Sequence, residues 1–176
     1  YVRKNAQVPV IETGAGVVHT YVDRDADLQK AIPIVLNAKT RRVSVCNALD
    51  CLLIHKDRLP DLPSICRPLW GKGVVIEADE TAFSVLSSCN KAQLCLASEE
   101  SFGTEFLSLR MAVKTVSSVQ EAIEHISRYG SGHSECIVTD NYKNANKFTK
   151  EVDAAAVYVN ASTRFTDGGE FGLGAE

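Results

Sequence analysis

No stretch of this 176-residue chain reaches the roughly 18–20 consecutive apolar residues of a membrane-spanning helix, so no membrane partner is expected. Its first residues lack the charged-then-apolar pattern of a secretory leader. No Cys-x-x-Cys occurs and no histidine pair has zinc spacing, so no metal site is expected. A strong excess of one charge is missing too. The net charge is −3, with lysines and arginines scattered along the chain, which leaves no basic footprint for nucleic acid. Internal repeats, low-complexity segments and linkers are also lacking.

What is present suits one α/β domain with a substantial core. Hydrophobic residues make up 45% and charged residues 23%, ordinary values for a globular protein. The six cysteines stand at 46, 51, 66, 89, 95 and 136. Cys51, Cys95 and Cys136 lie in apolar stretches of a chain long enough to need no staples. Free thiols in a reducing compartment follow, either the cytoplasm or an organelle matrix.

Strand and helix signals alternate. Gln7–Ile11 and Val17–Val22 read as strands about the glycine turn Thr13-Gly14-Ala15-Gly16. Leu28, Ala31, Ile32 and Val35 have helical spacing with Asp25 near the start, and Pro33 predicts a kink or a late start. Cys51–His55 reads as a buried strand, and Pro60, Pro63 and Pro68 mark a connection after it. A strand over Val74–Glu77 precedes a short helix over Thr81–Ser88 capped by Asp79, and Phe106–Val116 contains another strand. Ser118 and Glu121 form a capping box ahead of the stripe Val119, Ala122, Ile123 and Ile126, with Gly130 as a left-handed terminator. Cys136–Thr139 is a strand, and Asp140 caps a helix with stripe Ala145, Phe148, Thr149 and Val152. Ala154–Asn160 is the last strand. Such alternation predicts a layered domain with a mostly parallel sheet flanked by helices. Ligands gather at strand carboxyl ends in these sheets, which brings the loop after Val159 among the functional candidates.

The thiol at Cys46 carries the sharpest chemical signal. Lys39, Arg41 and Arg42 precede it closely, and nearby positive charge favours the nucleophilic thiolate. A buried structural thiol beside solvated charges is the competing reading. Both chain ends look cut: Tyr1 stands where an initiator methionine is usual, and Gly174-Ala175-Glu176 ends without a polar tail. A piece of a longer polypeptide is expected.

The run Val152 to Glu176, with Asn160-Ala161-Ser162-Thr163-Arg164-Phe165 at its centre, resembles the γ-glutamyl phosphate reductases of the aldehyde dehydrogenase superfamily. So do Arg128–Glu135, Asn37-Ala38-Lys39-Thr40 through Cys46-Asn47-Ala48, and Ile11-Glu12-Thr13-Gly14 with Tyr21-Val22-Asp23. The resemblance implies an aldehyde-dehydrogenase-like fold over residues 1–176, forming the thiol-bearing catalytic domain without most of the N-terminal NADPH-binding domain. It implies NADPH-dependent reduction of L-glutamyl 5-phosphate to the 5-semialdehyde in proline biosynthesis. It further implies a homo-oligomer and a glutamate 5-kinase as partner or fused domain. Two other readings stay open: a non-phosphorylating aldehyde dehydrogenase, and a non-catalytic oligomerisation module.

On this resemblance Cys46 is the catalytic nucleophile and its backbone N–H helps to hold an oxyanion, with Asn47 either assisting or fixing a turn. Glu105 corresponds to a carboxylate that binds the nicotinamide ribose, or else it is a solvated glutamate. Glu12 is a general base, or a cap or turn residue. Asn160, Ser162, Thr163, Arg164 and Phe165 form the substrate-side loop, in which Arg164 suits a carboxylate or phosphate and Asp167 or Glu170 balances an amine. A rigid anchor loop is the alternative there. Gly168 and Gly169 would let backbone approach a ligand. Lys39, Arg41 and Arg42 attract the anionic substrate or remain solvated surface, and His133 makes a structural hydrogen bond or transfers a proton.

Overall fold

The computed structural model describes residues 15–166. Among the described residues seven strands form one fully parallel sheet: β1 (His19–Val22), β2 (Cys51–His55), β3 (Val75–Ala78), β4 (Leu94–Leu96), β5 (Arg110–Val116), β6 (Ser134–Val138) and β7 (Ala156–Val159). Their spatial order is β4-β3-β5-β2-β1-β6-β7. The central strands are buried on both faces, so β2 reads as a near-continuous apolar run, while β1 and β6 also bury the polar residues His19, Thr20, Ser134 and Glu135 at their starts.

Helices α1 (Leu28–Thr40), α2 (Leu62–Trp70) and α3 (Glu80–Leu86) cover one face. Their Ala31, Val35, Leu62, Ile65, Leu69, Ala82 and Leu86 pack with Leu52, Ile54, Met111, Val113, Cys136 and Val138. Helices α4 (Val119–Tyr129) and α5 (Tyr142–Glu151) cover the other. There Ala122, Ile123, Ile126 and Phe148 meet Tyr21, Cys51, Leu53, Ala112 and Ile137. The two-residue period of each strand sorts these side chains to opposite faces. Among the described residues no helix is long and apolar enough to cross a membrane. All six cysteines are free, with Cys51, Cys66 and Cys136 buried, Cys95 half-buried, and Cys46 and Cys89 exposed.

Several local expectations need correction. Helix α1 starts at Leu28, capped by the Asp27 side chain with Asp25 just before it, and continues past Pro33 with no late start. Pro33 and Gln29 both face solvent, so the carbonyl that loses its amide partner is open to water. The proline-marked connection holds a 3₁₀ turn, Lys56–Asp61, and then α2, whose first turn accommodates Pro63. Strand β4 gave no signal in the sequence. Ser118 caps α4 as expected, but the Glu121 carboxylate reaches one residue further back, to the Ser117 amide at 2.7 Å and its hydroxyl at 2.6 Å. Gly130 is extended, not left-handed; a Cβ there would meet the Ile126 carbonyl oxygen at 2.6 Å. Asn141, not Asp140, caps α5, while Asp140 pairs with Lys30 at 2.6 Å. Thr149 is exposed rather than part of the buried stripe. The expected strand Gln7–Ile11 and the residues Glu12, Thr13 and Gly14 lie outside the described residues.

Candidate active site

Helix α1 delivers the chain into an irregular segment, residues 41–50, that leads directly into β2, with Cys46 exposed on it five residues before the strand. The segment is tied down on both sides. The Ala48 amide donates to the Val45 carbonyl at 3.1 Å and the Leu49 amide to the Ala38 carbonyl at 3.0 Å. The Asp50 and Cys51 amides share the Val18 carbonyl, each at 3.0 Å. The Cys46 amide donates to no acceptor among the described residues, which leaves it available to an oxyanion beside its own sulfur.

Gly16 sits directly against this loop. A Cβ at Gly16 would stand 2.1 Å from the Cys46 carbonyl oxygen and 2.9 Å from its Cα, so only glycine permits the contact. The Gly16 amide donates to Glu105 Oε1 at 3.0 Å, and the neighbouring Val17 amide donates to Ser131 Oγ at 2.9 Å. Glu105 is thereby placed beside the thiol loop by one oxygen. Its Oε2 accepts no hydrogen bond among the described residues. Gly16→Ala is expected to push the loop off this seat and raise the alkylation rate of Cys46 several-fold. Site-resolved iodoacetamide labelling checks this, with the exposed Cys89 as internal standard.

The segment after β7 reaches the same place by an unexpected route. Asn160 adopts a left-handed conformation, φ 55°, and its side chain is fully engaged with the end of β6: Oδ1 accepts from the Thr139 amide at 2.9 Å, and Nδ2 donates to the Thr139 carbonyl at 2.8 Å. The chain then folds back along β6 towards its start. Ala161 accepts from Cys136 Sγ at 3.0 Å, and Thr166 Oγ1 accepts from Ser134 Oγ at 3.1 Å and donates to the Tyr158 hydroxyl oxygen at 2.9 Å. The candidate site therefore lies at the amino-terminal edge of β1, β2 and β6, not at the carboxyl ends. Thr163 Oγ1 donates to the Asn47 carbonyl at 2.9 Å, and Asn47 Nδ2 donates to the Thr166 carbonyl. These two bonds fasten the Cys46 loop to the 163–166 turn.

Within that turn Ser162 is a cap whose Oγ accepts from the Arg164 amide at 3.2 Å, Thr163 is buried, Arg164 is half-buried, and Phe165 is exposed. Ser162, Thr163 and Asn160 thus spend side-chain atoms on anchoring the loop, while Arg164 and Phe165 lie nearer its surface. His133 Nδ1 lies 2.8 Å from Ser134 Oγ, next to the Thr166 contact. Asp167, Gly168, Gly169 and Glu170 fall outside the described residues.

Lys39 is not a surface cation. It is fully buried, 3.8 Å from Asp50 Oδ1, with its ammonium 5.8 Å from the Phe106 ring centre. Asp50 Oδ1 also accepts from the Phe106 amide at 3.0 Å, which fixes the residue beside Glu105. Burial, acting against the ion pair, pulls Lys39 down to about 8 and pushes Asp50 up to about 6. Arg41 and Arg42 do remain exposed. The roles of Gly16, Ser131 and this pair are not legible along the chain, since each depends on a contact between separate segments.

An exposed thiol seated on a glycine, beside a carboxylate and a polar turn at one edge of a parallel sheet, defines a class of protein. The aldehyde dehydrogenase family model matches residues 84–174, and the chain belongs to that family. Among curated proteins it is 58% identical over 177 residues to the γ-glutamyl phosphate reductase of Azobacteroides pseudotrichonymphae, covering all of this chain and 42% of that one. The crystal structure of γ-glutamyl phosphate reductase from Thermotoga maritima superposes with a TM-score of 0.91 at 51% identity, over 99% of this chain and 41% of that one. An acetylating aldehyde dehydrogenase from Geobacillus thermoglucosidasius shares the fold, with a TM-score of 0.68 at 19% identity over 98% of this chain and 45% of that one. The chain thus spans about two fifths of the length of the curated relatives it matches.

Proposed function

We propose that this chain is the thiol-bearing catalytic domain of an NADPH-dependent γ-glutamyl phosphate reductase, acting in proline biosynthesis on L-glutamyl 5-phosphate. The observation that carries the reading is the exposed Cys46 held between Gly16 and the 163–166 turn, in a chain whose relatives bear that enzyme's name.

The Cys46 thiolate attacks the acyl carbon; the S–C bond forms, the C–O bond to phosphate breaks, and inorganic phosphate leaves with the electron pair. The Cys46 amide stabilises the oxyanion at this step and again when the thioester is reduced. Bound NADPH supplies the hydride. The hemithioacetal then expels the Cys46 thiolate and releases the aldehyde. Glu105 suits a nicotinamide cofactor: one oxygen is fixed by the Gly16 amide and the other can accept a ribose hydroxyl. Ser162 and Thr163 shape the substrate side, Asn160 sets the path of their loop from the far end of β6, and Arg164 and Phe165 contact the substrate's carboxylate and carbon chain. An acyl phosphate is short-lived in water, so a glutamate 5-kinase that makes it is the partner this chemistry calls for.

Running the reaction backwards tests the proposal. The intact protein, given the semialdehyde and NADP⁺, is expected to form NADPH only when inorganic phosphate is present, because phosphate is the acceptor that releases the acyl group. Phosphate-independent oxidation would instead mark a hydrolytic aldehyde dehydrogenase.

A further inference from the structure

The face of the sheet opposite the 161–166 segment holds a second cluster that the proposed chemistry leaves unused. The parallel register sets His19, the first residue of β1, beside Cys51, the first of β2, and beside Glu135 of β6. Helix α4 lays His125 over them, with its Nε2 3.8 Å from Cys51 Sγ. The ligating atoms of His19, Cys51 and His125 all lie within 4.8 Å of one another, and all three residues are buried. Tetrahedral coordination with bonds of about 2.0–2.3 Å separates ligand atoms by roughly 3.3–3.8 Å, so a shift of about 1 Å closes the cluster on an ion.

Two independent features point to a ligand. His19 Nε2 is fully buried with no hydrogen-bond partner among the described residues, and a polar atom so placed is costly. The other ring nitrogen, Nδ1, faces the Glu135 carboxylate at 3.2 and 3.4 Å, and that carboxylate is itself fixed by the His19 amide at 2.7 Å. A carboxylate on Nδ1 that leaves Nε2 pointing inward is the arrangement that orients metal-binding histidines. His125 is packed by Phe102 and Tyr129, with ring centres 5.5 and 4.6 Å away. It also lines a surface cavity of about 290 Å³, shared with Lys114, Glu121, Arg128 and Tyr129, so this one member of the cluster borders solvent.

We propose that His19 Nε2, Cys51 Sγ and His125 Nε2 bind one borderline-soft cation of the zinc class, with Glu135 as the orienting partner of His19. Two imidazoles and one thiolate suit zinc and exclude the oxygen-seeking magnesium and calcium. Binding sends the Cys51 thiol proton, and any proton on His19 Nε2, to solvent. The ion ties the starts of β1 and β2 to α4, which makes the site a structural clamp. The two strand starts lie three residues from Gly16 and five from Cys46. The inference stands on its own geometry and does not depend on the reductase reading.

Cobalt titration of the chelator-stripped intact protein tests it, since a thiolate on Co²⁺ adds a charge-transfer band to the visible spectrum. One equivalent of Co²⁺ is expected to produce that band and Zn²⁺ to erase it, also in a background with Cys46, Cys89 and Cys95 changed to serine. Cys51→Ser should abolish the band, His125→Asn should weaken binding at least tenfold, and Glu135→Gln should weaken it about 10–100-fold. Zn²⁺ should raise the melting temperature of the parent protein and leave that of His125→Asn unchanged. If Cys51→Ser fails to fold, His125→Asn, on a helix at the surface of the cluster, decides the matter. Absence of a stoichiometric band in the parent, or a titration midpoint and a zinc melting shift that His125→Asn leaves at their parent values, overturns the site.

Discussion

In the intact protein, Cys46→Ser is expected to lower the proposed reductase turnover by at least about 10³-fold while leaving the melting temperature within about 2 °C of the parent. The activity loss follows from acidity. A serine hydroxyl is not ionised at neutral pH, and without a dedicated base it is a poor nucleophile where a thiolate is a good one. The unchanged stability follows from position. Cys46 is exposed, its loop is held by backbone bonds at Ala48, Leu49 and Asp50, and exchanging sulfur for oxygen touches none of them. Rapid-quench mass spectrometry with L-glutamyl 5-phosphate and no reductant separates the steps. The parent should carry one glutamyl adduct on Cys46, and the variant none. Turnover within tenfold of the parent would remove the thioester from the mechanism.

The strands were legible because burial on both faces writes them as short apolar, β-branched runs; Cys51–His55 needed no adjustment at all. Helix α2 was hidden by its own composition. Pro63 and Pro68 signal breaks, yet Pro63 falls in the first turn, where a missing amide costs no intrahelical bond. β4 is only three residues long and not fully buried, too brief for any periodicity. Within the site, Cys46 was marked by the cations before it and Glu105 and the 160–165 segment by the family resemblance, and the structure brings the Cys46 loop to Glu105 through Gly16 and to the 163–166 turn through Asn47. Their common location was not legible. It turns on Asn160 entering a left-handed conformation and sending the chain back along β6, an event that depends on the Thr139 backbone 21 residues away. The His19–Cys51–His125 cluster was invisible for the same reason. Spacing along the chain says nothing about ligands that register and helix packing bring together.

Removing the buried ammonium should expose how much the thiol loop's foundation depends on charge. Lys39→Met keeps the stem's volume and leaves Asp50 buried without its cation, which is expected to cost about 3–5 kcal/mol near pH 7.5. The pH dependence has a definite sign. Burial already raises Asp50 to about 6 against an ordinary 3.8, so its favourable contribution is complete below pH 3.8 and lost as pH rises through 6. Loss of Lys39 removes the charge that holds this value down, so Asp50 in the variant climbs further and takes up its proton at a higher pH than the parent does. On acidification the variant therefore gains stability before the parent, and the gap narrows by pH 5, where the parent's own ammonium faces a neutral carboxyl. Lys39→Met combined with Asp50→Asn should recover most of the loss at pH 7.5, because the asparagine oxygen still accepts from the Phe106 amide. Urea unfolding of the four proteins at pH 7.5 and 5 supplies the cycle. A gap of equal size at both values would show that Asp50 does not titrate in this range and that the ammonium acts through contacts other than this ion pair.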